Sequence, residues 1–86
     1  MAYKVQVTIV SIGGECPAGH KVGESWLVGN TTPGGMCSGA YDTIAPYIRT
    51  LRAGGEFSWA DSKDVVRLAC PDPDIPVVLE LRRIRE

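Results

Sequence analysis

The first segment of the chain, Tyr3–Ile12, constrains the fold most strongly, because apolar and polar residues alternate along its first half. Its apolar side chains share one face, at Tyr3, Val5, Val7 and Ile9. This alternation predicts a half-buried β-strand. Such a strand needs neighbouring strands and a layer that covers its apolar face, so the rest of the chain must supply both.

Three later segments are also strand-like. Lys21–Gly29 is predicted to form the second strand, and Val65–Cys70 and Pro76–Ile84 the last two. Between the last two lies Pro71–Asp74, with the sequence PDPD, which is a strong turn signal. We therefore expect the last two strands to form a hairpin.

One segment has helical spacing. Its apolar residues fall on a single helix face, at Ala40, Ile44, Tyr47, Ile48 and Leu51. Gly54 and Gly55 supply the C-terminal stop. Pro46 lies inside the pattern, so we expect it either to kink the helix or to begin a second short helix.

Together these segments predict a single α+β domain over residues 1–86. Its element order is β-β-α-β-β, and its mostly antiparallel sheet is covered on one face by the helix. The edges of so small a sheet could pair with another copy of the chain, which would make a homo-oligomer.

The composition limits the classes of partner. Nine basic and ten acidic residues give a net charge of −1, which provides no overall field to attract nucleic acid or an anionic membrane. No apolar run approaches the roughly 20 residues that span a bilayer. The N-terminus lacks the apolar region of a signal peptide. We expect a cytoplasmic protein, with Arg82, Arg83 and Arg85 as a solvated edge.

Three cysteines and the single histidine lie at the predicted ends of elements, where side chains from different elements can converge. Cys16 and His20 flank a turn after the first strand, Cys37 precedes the helix, and Cys70 ends the third strand. Three thiolates and one imidazole suit a tetrahedral zinc site, and iron accepts the same donors. The sequence therefore suggests a site for zinc or iron built from Cys16, His20, Cys37 and Cys70.

Two other interpretations of these residues remain open. The cysteines can be buried apolar residues and His20 a structural group, because free cysteine is among the most buried residue types. Alternatively, the chain is a metal-free enzyme that acts on a small molecule in a pocket near Trp59 and Asp72. In that case Cys37 or Cys16 supplies a thiol and His20 transfers the proton.

Four motifs run through nearly the whole chain: C-P-x-G-H-x-x-G at Cys16–Gly23, a cysteine after a glycine-rich loop at Cys37, G-G-x-F-x-W at Gly54–Trp59, and C-P-D-P at Cys70–Pro73. Their combination resembles a family of small, largely uncharacterised prokaryotic proteins of about this length. The resemblance implies a soluble prokaryotic protein. It implies no particular activity and leaves the metal undecided.

Overall fold

A computed structural model describes residues 3–14, 19, 21–60, 62–69 and 77–85. The elements are β1 (Lys4–Ile12), β2 (Ser25–Val28), α1 (Ser38–Arg52), β3 (Val65–Ala69) and β4 (Val77–Ile84). The strands form one antiparallel sheet in the order β2-β1-β4-β3, and α1 packs against one of its faces. The predicted α+β class, the element order and the final antiparallel pair are confirmed.

The hydrophobic core lies between α1 and the inner face of the sheet. Its largest fully buried side chains are Ile9, Ile44, Leu51, Leu79, Leu81, Val5 and Val7. Full burial of a side chain of this size contributes about 1.5–3 kcal/mol relative to exposure. The alternation predicted for β1 is confirmed, and the predicted helix face is buried apart from Tyr47, which is half-buried.

A β-bulge explains why the alternation in β1 stops at Ile9. The register with β4 shifts between Ile9 and Ser11, which leaves Val10 as the additional residue. After the shift Ile12 lies opposite the buried Val77, and Ile12 packs against the core. The bulge therefore reverses which face the later residues occupy.

The structure decides two local points. α1 continues through Pro46, so of the two outcomes expected there the second short helix does not occur. The second strand is shorter than Lys21–Gly29, because Val22 lies in a turn and is 61% exposed. Gly23 in that turn has φ +93, a left-handed conformation that glycine adopts without the Cβ clash of other residues. In the described ranges, no helix has the length and apolar character needed to cross a bilayer.

The structure corrects the expectation that Arg83 belongs to a solvated edge, since Arg83 is only 3% exposed. Its Nη1 donates to the carbonyl oxygens of Leu51 (3.0 Å) and Gly55 (2.8 Å), and its Nη2 donates to that of Lys63 (2.6 Å). Its Nε forms an ion pair with Asp64 at 2.9 Å. The fork of guanidinium donors thus joins the last turn of α1, at Leu51, to Gly55 and Lys63 in the segment between α1 and β3.

The other two arginines lie at the surface, as expected. Arg85 Nε donates to Asp64 Oδ1 at 2.7 Å, so that one carboxylate oxygen accepts from both Arg85 and Arg83. Arg82 is on the opposite face of β4 and pairs with Glu80 at 3.3 Å. Exposed pairs of this kind contribute about 1 kcal/mol or less.

We predict that Arg83→Met lowers the free energy of unfolding by about 3–5 kcal/mol, because it removes three charge-assisted hydrogen bonds to carbonyl oxygens and the ion pair with Asp64. Arg82→Met, one residue away on the outer face, is the matched control and should change it by less than about 1 kcal/mol. Urea denaturation of both variants measures the difference. Equal stabilities would show that the buried guanidinium is not needed.

Asp64 should make stability depend on pH in acid. The hydrogen bond from Arg85, and then the one from Arg83, lower the pKa of Asp64 below its ordinary value of 3.8. A lowered pKa in the folded state means that the stabilisation is complete above the unfolded value and is lost as pH falls through the folded one. The free energy of unfolding, measured by urea denaturation from neutral pH to below the folded-state pKa of Asp64, should show this loss. Asp64→Asn should reduce the dependence of that free energy on pH.

Asp42→Asn is the matched control for Asp64→Asn. Asp42 is exposed on α1, and no described residue forms an ion pair with it. The control should keep the acid dependence of the wild type. An Asp64→Asn profile that runs parallel to the wild type throughout would contradict the assignment to Asp64.

Candidate functional site

Cys37 is the one predicted metal ligand that the structure describes. Cys16, His20 and Cys70 lie outside the described residues, as does Asp72 of the alternative pocket. Within the described ranges, no group of three His, Cys, Asp or Glu residues could hold a metal ion. The four-ligand site therefore stays a prediction. The described residues that precede and follow these ligands in the chain are the basis for judging whether the ligands can converge.

β1 and β3 end at the same end of the sheet, on either side of β4. β1 is antiparallel to β4, with Ile12 opposite Val77. β3 is also antiparallel to β4, with Ala69 opposite Val78. β1 and β3 therefore run in the same direction, and both finish against the beginning of β4. We call this the Ile12–Ala69 end.

The connection from β1 to β2 returns to the same half of β1. The amide of Gly23 donates to the carbonyl oxygen of Ile9, and the amide of Ile9 donates to that of Glu24, both at 2.9 Å. Gly19, in the CPAGH motif, has φ +78, a left-handed conformation that glycine adopts without strain. Residues 13–24, which include Cys16 and His20 in sequence, thus leave β1 at Ile12 and return to pair with Ile9, in the second half of β1.

The C-terminal end of α1 lies near the start of β1, which is the end of the sheet opposite to the Ile12–Ala69 end. The amide of Tyr3, just before β1, donates to the carbonyl oxygen of Arg52 at 2.9 Å, so α1 ends near the start of β1. The carbonyl oxygen of Leu51 accepts from Arg83 Nη1 at 3.0 Å, which places the C-terminal turn of α1 beside the last residues of β4 as well. At the other end of the helix, Cys37 packs against the hydrophobic core.

Cys37 occupies the N-cap position of α1. Its carbonyl oxygen accepts the amide of Tyr41 at 3.0 Å, which is the first hydrogen bond of the helix. The residue is half-buried and packs against the hydrophobic core. The first turn of α1 contains no acidic residue, so the positive end of the helix dipole has no carboxylate from this turn beside it.

A cleft of about 280 Å³ lies beside the first residues of β3. It is lined by Trp59, Ala60, Ser62, Val65, Val66 and Arg67. None of the four predicted metal ligands is among its described lining residues. Trp59 had been expected to border a pocket, but the described lining contains no cysteine. The cleft therefore does not bring Cys37 to Trp59.

Nothing in the sequence alone marks Arg67 or Ser62 as lining residues of this cleft. Their position depends on β3 being an edge strand, and the strand order that makes it one leaves no local mark in the sequence. Arg83 was different, because it continues the alternation of Val77, Leu79 and Leu81. That pattern was a usable signal that Arg83 faces the core.

The chain matches no family model, and comparisons with curated proteins and with solved structures likewise give no match. The resemblance based on the four motifs therefore remains a prediction from the sequence.

Proposed function

We propose that this chain is a small metal-binding protein that holds zinc or iron through Cys16, His20, Cys37 and Cys70. The observation that carries the proposal is the shared direction of β1 and β3, whose last residues flank the beginning of β4.

Chain connectivity supports convergence of three of the four ligands, Cys16, His20 and Cys70. Cys70 follows Ala69 directly, and Cys16 is four residues after Ile12. Four residues reach at most about 14 Å, so Cys16 belongs to the neighbourhood of the Ile12–Ala69 end. His20 is in the same connection as Cys16, which leaves and rejoins the same half of β1.

The donor set determines what the metal would do. Four protein ligands make a closed tetrahedral site, in which the metal would join the β1–β2 connection, the start of α1 and the segment after β3. In a chain of 86 residues such a link would add directly to folding stability. If one of the four residues does not bind, water occupies the open position and the metal becomes a Lewis acid for a small substrate.

The proposal places the protein in the cytoplasm. Thiolate ligands must stay reduced to bind metal, which is the condition in the cytoplasm. The same donor set accepts both zinc and iron, so the metal is to be identified by measurement.

The first test is elemental analysis of untagged protein that is purified without added metal, with the thiols titrated in parallel. We expect about one zinc or iron per chain and thiols that react only after a chelator is added. Absence of metal together with three freely reacting thiols would refute the proposal. That result would favour the metal-free alternative, in which Cys37 or Cys16 acts with His20.

We predict that His20→Ala reduces metal occupancy and also lowers the urea midpoint of unfolding. Both effects have one cause, because loss of a ligand weakens metal binding and metal binding stabilises the folded state. Lys21→Ala changes the neighbouring exposed residue and should preserve both quantities. If His20→Ala keeps full metal content and stability, His20 is not a ligand. A selective loss of catalysis would then assign it to proton transfer instead.

A further inference from the structure

The cleft beside Trp59 lies along an open edge of the sheet. The strand order places β3 at that edge, with β4 on its other side. The carbonyl oxygen of Asp64 accepts the amide of Arg83 at 2.7 Å, so the backbone of Asp64 faces β4. By the alternation of an antiparallel ladder, the amide and carbonyl groups of Val65 and Arg67 face the open edge. The cleft therefore has backbone donors along one wall.

An aromatic ring also lines the cleft. Trp59 is 58% exposed, yet its ring is positioned by two others, with centroids 5.2 Å from Phe57 and 6.2 Å from Tyr47. The contact with Tyr47 is edge-to-face, an arrangement that aromatic pairs favour. Trp59 thus presents a supported, flat and solvent-accessible surface to the cleft.

Arg67 supplies a positive charge that is not neutralised by the described residues. Glu80 lies opposite Arg67 on β4, but its carboxylate pairs with Arg82 at 3.3 Å. Asp64 is engaged by Arg83 and Arg85. No hydrogen bond or ion pair joins Arg67 to any described residue, and the described lining of the cleft contains no carboxylate.

We propose that this cleft binds a small planar aromatic carboxylate. The ring of the ligand lies against Trp59 and the apolar side chain of Val65, which shares the outer face of β3 with Arg67. The carboxylate pairs with the guanidinium of Arg67, whose donors match the geometry of a carboxylate. The volume of about 280 Å³ is near the lower limit for small-molecule sites, which suits one or two fused rings and excludes a whole dinucleotide. This proposal is independent of the metal site.

The test is a titration with 2-naphthoate, followed by two-dimensional NMR of the ¹⁵N-labelled protein. We expect shifts in the Trp59 indole N–H and in the amides of Ala60, Ser62 and Val65–Arg67, with a dissociation constant of about 1 mM or below. The indole of Trp26, which donates to the carbonyl oxygen of Gly34 at 3.0 Å, is the internal control and should not shift.

Charge and ring recognition are tested separately. The neutral 2-naphthamide should bind about tenfold more weakly than 2-naphthoate, and Arg67→Gln should weaken 2-naphthoate binding by about the same factor. Trp59→Ala should weaken it as well. Arg49→Gln, at an exposed position on α1, is the matched control and should leave binding unchanged. The dispersion of each spectrum reports whether the variant is folded.

Asp61 lies between Ala60 and Ser62 in sequence and outside the described residues. Asp61→Asn removes a negative charge, so it should tighten 2-naphthoate binding or leave it unchanged. Three results would overturn the proposal: no shift at Trp59 at concentrations about tenfold above 1 mM, equal binding of acid and amide, or weaker binding by Asp61→Asn.

Discussion

The buried guanidinium of Arg83 is the interaction on which the rest of the structure depends. It occupies a core-facing position of β4 and donates to carbonyls at the end of α1 and in the segment that follows it. A cation in this environment is tolerated only when its donors are satisfied, because the loss of hydration is costly. No buried side-chain nitrogen or oxygen of the described residues lacks a hydrogen-bond partner, so Arg83 meets this condition. Through these bonds Arg83 connects β4 to the segment that carries Trp59.

The two ends of the sheet are joined in different ways. Near the start of β1, backbone and side-chain hydrogen bonds hold the end of α1, including those from Tyr3 and Arg83. At the Ile12–Ala69 end, β1 and β3 finish on either side of the beginning of β4, and the segments that continue from them contain three of the four proposed ligands. In our proposal a metal ion performs there the linking role that Arg83 performs at the other end. The bulge after Ile9 also lies near this end, and bulges are common beside functional sites.

Local pattern accounted for much of the fold and little of the candidate sites. The alternation in β1 and the helical spacing in α1 follow directly from which residues are apolar, so their buried faces were predictable. The boundaries of β2 were less so, because Val22 is apolar but lies in a turn that Gly23 makes possible. Arg83 was misjudged because a run of arginines near a chain end is typical of a surface. Its alternation with Leu79 and Leu81 carried the contrary information.

The sequence by itself determined the class of the domain, the order of its elements and the faces that they bury, since these depend on periods of two and 3.6 residues within short segments. It also determined which donors are available for a metal. Only the tertiary structure decided that β3 is an edge strand, that Arg67 lies beside Trp59, and that β1 and β3 end together. Each of these facts joins residues that are distant in the chain, and such pairings depend on how strands are ordered across the sheet rather than on the residues within any one of them.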